Sequence, residues 1–165
     1  MQKLLSHGRI ASEHWKRLEG GAARWLAVGE DGFVPDFPYE ADLIVPVAVL
    51  KRRADELFSR QGSTGVLLEA EDDPRTIAAH LERLSLVAIR FAKFSDGRGY
   101  SIARLLRERY RYGGELRAVG DVLRDQLLFL KRCGFDSFEL REDQDPAAAL
   151  VAFNELAVTC HARAA

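Results

Sequence analysis

Apolar positions along the chain alternate between two periods. Short apolar runs bounded by Gly, Pro or Asp predict buried strands at 65–69, 86–91, 115–119 and 135–140. Between them the spacing turns helical. Leu43, Ile44, Val45, Val49, Leu50, Ala54, Leu57 and Phe58 oppose Lys51, Arg52, Arg53, Asp55 and Glu56, which predicts an amphipathic helix from about 43, with Pro46 in its first turn and Gly62 near its end. Asp73-Pro74 is an N-cap and N1 pair for a helix through Leu84. A helix from about Tyr100 to Tyr112 turns Ile102, Leu105 and Leu106 inward and Arg104, Arg107 and Arg111 to solvent, with Gly113-Gly114 closing it. Val122 to Cys133 reads as a helix stopped by Gly134, and Asp145-Pro146 opens a last helix through about Thr159.

This order predicts an α/β fold with a mainly parallel sheet and right-handed helical crossovers, either open and doubly wound or part of a (β/α) barrel. We read one α/β domain over 41–165 and a small irregular extension over 1–40, where Gly20-Gly21, Gly29, Gly32, Pro35 and Pro38 interrupt short apolar pieces. Within the extension, Arg24 to Val28 suits a strand or hairpin with Glu30-Asp31-Gly32 as its turn. Trp15 and Trp25 read as packing anchors.

Composition changes this picture little, but the distribution of charge does. The net charge is −1, yet the stretch from Arg90 to Arg117 holds eight Lys or Arg against three Asp or Glu, so it carries +5 and the rest −6. An overall balance near neutral argues against general binding to nucleic acid or an acidic membrane. No run of about 18 apolar residues and no secretory leader is visible, which points to the cytoplasm. Cys133 and Cys160 stand far apart and read as isolated thiols, and His7, His14, His80 and His161 match no metal-ligand spacing.

The candidate chemistry sits at the turn after the 86–91 strand. In a parallel α/β sheet, ligands bind beyond the carboxyl ends of the strands, where this turn, Glu69 to Asp72, Gly120-Asp121 and Arg141 to Asp143 are expected to converge. Gly97 and Gly99 flank Arg98 ahead of a helix N-terminus, so Arg90, Lys93, Gly97, Arg98, Gly99 and Ser101 form a candidate oxyanion site. Asp96 and Asp121 are candidates for acid–base work, with Asp121 also suited to cap a helix. Glu115 and Arg117 alternate on one strand face, which predicts a salt bridge, and Arg117 is included among the ligand-binding candidates with Gln126 near that face.

The stretches Phe94-Ser-Asp-Gly-Arg-Gly-Tyr-Ser-Ile-Ala-Arg-Leu-Leu-Arg107, Gly114-Glu-Leu-Arg-Ala-Val-Gly-Asp-Val-Leu-Arg-Asp-Gln126 and Lys131-Arg-Cys-Gly-Phe-Asp136 resemble the bacterial family called domain of unknown function 934. The resemblance reaches more weakly from Leu43 to Leu140. It implies a place in sulfate assimilation, because members are typically encoded beside the assimilatory sulfite reductase hemoprotein and are commonly labelled oxidoreductases of sulfite reduction. No flavin or nicotinamide fingerprint and no cluster-ligating cysteine set accompanies that label, so the cofactor is unknown. Together these readings lead to an accessory protein acting with sulfite reductase and binding a small oxyanion or phosphosulfate at the 97–99 turn. The alternatives are a small enzyme on a phosphorylated or sulfonated metabolite, or a non-catalytic docking subunit.

Overall fold

A computed structural model describes residues 4–18, 21–27, 34–93 and 95–162. Among these residues eight strands form one sheet in the order β2-β1-β8-β7-β6-β5-β4-β3. They are β1 (Leu4–Ser6), β2 (Arg9–Ala11), β3 (Lys16–Arg17), β4 (Leu43–Pro46), β5 (Thr64–Leu68), β6 (Leu86–Phe91), β7 (Glu115–Gly120) and β8 (Ser137–Glu139). Strands β3 to β8 pair in parallel, whereas β1 is antiparallel to both β2 and β8. The sheet is therefore mixed, not mainly parallel as the sequence suggested. The difference comes from the short hairpin Leu4–Ala11, which adds two antiparallel strands to the β8 edge, whereas Lys16–Arg17 extends the other edge in parallel.

The sheet curls into a half-barrel. In a flat sheet β3 and β8 would lie five strand spacings apart, about 24 Å, yet Arg17 on β3 forms a salt bridge with Glu139 on β8. The segment between β2 and β3 crosses the open side, and its Glu13 reaches Arg117 on β7. Alternation along each strand then sorts side chains to the two faces. The outer face carries Leu43, Val45, Val66, Leu68, Val87, Ile89, Leu116 and Phe138 into the main core beneath the helices, and the inner face holds Trp15, Ile44, Leu86, Ala88 and Val119.

The helices on the outer face are α1 (Gly21–Leu26), α2 (Val47–Ser59), α3 (Arg98–Glu108), α4 (Leu127–Arg132) and α5 (Pro146–Ala162), with 3₁₀ turns at Pro74–Arg83 and Arg124–Gln126. Asp73 caps the first 3₁₀ segment by accepting from Arg75 N–H. Several expectations need correction. Leu43–Pro46 is a strand rather than the first turn of a helix: its apolar β-branched residues are buried in parallel pairing with β5, and Pro46, lacking an N–H, ends the strand and precedes α2. Gly21–Leu26 is helical where a hairpin strand was read at Arg24 to Val28, and the Glu30-Asp31-Gly32 turn lies outside the described residues. Helix α3 runs Arg98–Glu108, stopping short of Tyr112. Its end is set by Arg107, whose guanidinium donates to the carbonyls of Tyr112, Gly114 and Gly134 and pairs with Asp136, binding the following loop against the sheet instead of facing solvent. The helix read at Val122 to Cys133 is shorter, and Gly134, at φ 103°, terminates it as expected.

Candidate functional site

At the carboxyl ends of the parallel strands the inner face becomes polar. The alternation that places Leu86 and Ala88 inside also places Arg90 inside, beside Val119 of β7. Arg17 on β3 stands opposite Ile44, and Glu139 ends β8, so their salt bridge closes the rim across the open side. Glu69 follows the end of β5, and its carboxylate lies 3.5 Å from Arg90 Nε. Beyond β7, Asp121 accepts from Arg141 Nη1 at 2.7 Å, and Arg141 also holds Asp143. This pairing keeps the Asp143 carboxyl down at about 2. Asp121 thus pairs with Arg141, and at the start of the following 3₁₀ turn Leu123 N–H donates to Gln126 Oε1.

Among the described residues, Arg90 lines two clefts at this mouth. One, of about 340 Å³, is bounded by Arg17, Arg90, Gly120, Asp121, Glu139 and Arg141. The other, of about 490 Å³, has the walls Leu18, Pro46, Val47, Ala48 and Leu67, with Glu69, Asp72 and Arg90 at its polar side. The second cleft meets the N-terminus of α2, where Pro46 supplies no side-chain acceptor for the first helical N–H groups.

The turn singled out from the sequence is arranged differently. Arg98 Nε donates to Asp96 Oδ1 at 3.0 Å, and Arg98 Nη2 reaches Asp96 Oδ2 at 2.7 Å and Glu71 Oε1 at 3.2 Å. Asp96 Oδ1 also accepts from Arg98 N–H at 3.1 Å, so a carboxylate of the chain already occupies the start of α3. The Arg98 side chain, followed by that backbone N–H, holds the Asp96 carboxyl down at about 2. Gly99 is buried against the Phe91 ring, while Gly97, Lys93 and Ser101 are exposed. Arg117 lies deeper, 2 % exposed, bound by Glu13, by Glu115 at 2.9 Å and by Ser137 Oγ at 3.2 Å. The predicted Glu115–Arg117 salt bridge is present, but Arg117 and the Arg98 turn are not among the described residues that line the two clefts at Arg90, and Gln126 donates to Tyr100.

Residues 65–165 match the model of a bacterial protein family of unknown function, DUF934. The chain belongs to that family. No curated protein matches it. The matched span of this DUF934 member runs from Gly65 in β5 through β8 and so carries Glu69, Arg90, Asp121, Glu139 and Arg141, while Arg17 and the α2 end of the mouth come from residues before it. Glu69 and Arg141 stand in loops that the sequence places at this end of the sheet, though neither is among its candidate site residues, and Arg17 and Glu139 are not singled out by the sequence at all. The signal for Glu69 and Glu139 was there: each falls two positions after an inner-face residue at the end of a strand. Arg17 had none, because two consecutive polar residues do not announce a strand. Among the described residues no helix is long and apolar enough to cross a membrane, and no cluster of His, Cys, Asp and Glu has metal-site geometry.

Proposed function

We propose that this chain is an accessory protein of sulfate assimilation that works with the sulfite reductase hemoprotein and binds a small oxyanion or phosphosulfate in the mouth around Arg90. The observation that carries the binding part is the convergence of Arg17, Arg90 and Arg141 on one cleft beyond the carboxyl ends of parallel strands. Arg90 is the best placed of the three to take a ligand. Its one ion-pair contact among the described residues is long, at 3.5 Å, and both partners are over 40 % exposed, so an incoming oxyanion displaces Glu69 at little cost. The guanidinium fork then meets two oxygens of the ligand at once. Arg98, by contrast, would have to release two carboxylates. The sulfur part of the reading comes from the gene neighbourhood that the family resemblance implies.

Titration calorimetry with sulfite, sulfate, phosphate and adenosine phosphosulfate tests the site. Arg90→Ala is expected to weaken binding at least about tenfold, the value of one charge-assisted hydrogen bond, and Arg98→Ala to change it far less. Absence of binding to any of the four, or equal loss in both variants, would count against the reading. Co-purification with the sulfite reductase hemoprotein tests the partner.

A second reading is favoured by Asp121, which lines the same cleft as Arg90. A small enzyme acting on a phosphorylated or sulfonated metabolite would hold the anion with the arginines and exchange a proton through Asp121, its carboxylate released from Arg141 as the ligand enters. Turnover of such a metabolite that Asp121→Asn abolishes, with binding retained, would select this reading.

A further inference from the structure

Both clefts that meet at Arg90 combine charged and apolar residues, and the apolar set of the larger one points to the shape of the ligand. The smaller holds Arg17, Arg90 and Arg141 together with Asp121, Glu139 and Glu142, and Phe91, Ala92 and Leu140 supply its apolar part. The larger has the apolar residues Leu18, Pro46, Val47, Ala48 and Leu67, with Arg90 as its one cation among the described lining residues beside the carboxylates of Glu69 and Asp72. An inorganic oxyanion gripped by Arg90 would fill a small part of the combined space and would leave the apolar wall in contact with water. Apolar walls beside a few convergent polar groups are what an organic ligand requires, the polar groups fixing its orientation and the walls taking up its body.

We infer that the ligand of this mouth is an organic oxyanion, a sulfonate or a phosphate ester, whose headgroup pairs with Arg90 and whose short apolar body lies in the cleft between Leu18, Ala48 and Leu67. The inference rests on the mouth being an anion site. Specificity then has two sources: the guanidiniums select the headgroup, and the Pro46–Ala48 wall selects against a bare inorganic ion. Ala48 is exposed at the start of α2, so a larger side chain there enters the cleft without disturbing the core.

A homologous series at constant headgroup tests this directly: methanesulfonate against propanesulfonate, and methyl phosphate against propyl phosphate, titrated into the full chain. Two added methylenes are expected to tighten binding about tenfold if the cleft covers them, and the pair of series shows whether the sulfonate or the phosphate head is preferred. In Ala48→Phe the propyl-to-methyl ratio is expected to fall to near one. Equal affinity for methyl and propyl members would overturn the inference while leaving the oxyanion site standing. A propyl advantage that survives in Ala48→Phe would also overturn it, by placing the body elsewhere. No binding of the alkyl anions or of inorganic sulfite and phosphate would remove the anion site and this inference together.

Discussion

Asp96 and Arg98 show how an arginine in an apparent anion site is already committed. An unperturbed aspartate titrates at 3.8, and this one is held at about 2 by the Arg98 side chain and then its N–H. Because the folded value is depressed, the contribution of this clamp is complete above about pH 4 and disappears as the pH falls through about 2. Carboxyl-detected NMR should show Asp96 titrating near the lower value, and Arg98→Ala should bring its midpoint back toward 3.8. A second prediction concerns the buried ion pair on the inner face of the sheet. Glu13→Ala leaves Arg117 buried with Glu115 as its remaining carboxylate partner among the described residues, and should cost about 2 kcal/mol in urea denaturation. Glu108→Ala removes an exposed i,i+4 pair with Arg104 and should stay within about 0.5 kcal/mol. Pattern reading saw Arg107 and Arg104 alike, as members of a solvated stripe. Only the tertiary fold separates them, because the carbonyls that Arg107 collects belong to loops it meets after the chain has turned back.

The unit from β6 to α3 was the part most legible in the chain. Leu86 to Phe91 was bounded on both sides by a change of polarity, and the structure adds the reason for Gly99: a Cβ there would sit 2.6 Å from the Phe91 ring. Gly99→Ala should therefore cost about 1–3 kcal/mol through overpacking, whereas Gly97→Ala, with nothing within 4 Å of its added methyl, should be nearly neutral. Thermal unfolding of the two variants side by side is the check. Leu43–Pro46 was read wrongly for a physical reason. A buried strand of four apolar residues directly before an amphipathic helix continues that helix's apolar count without a break, and period alone does not divide them. The consequence reached the site. Joined to the helix, Pro46 looked like a first-turn residue, and the uncapped start of α2 at the mouth went unseen.

Across the whole molecule, stability should be graded from the middle of the sheet outward. Strands β5, β6 and β7 have neighbours on both sides and their outer faces under helices, while β2 and β3 are short edges of the sheet. Amide hydrogen exchange should be slowest in 86–91 and 115–120 and fastest in the edge strands, with Lys16–Arg17 opening before any central strand. The closure of the half-barrel was the least legible feature, since β1, β2 and β3 are two or three residues long and carry too few side chains to show a period.

The N-terminal hairpin finds its partner, β8, almost at the other end of the domain: Leu4 pairs with Glu139 and Ser6 with Ser137. On a ribosome the hairpin therefore emerges early and stays without its sheet for the time taken to make the intervening residues, roughly ten seconds at ~5–20 residues per second. The parallel strands β4 to β7 can pair in the order in which they appear, but β3 and β1 join opposite edges, and the salt bridge between Arg17 and Glu139 waits for β8. The rim of the mouth is thus among the last parts of the protein to exist, and a nascent chain arrested before Ser137 holds Arg90 on a strand whose site has not yet been assembled.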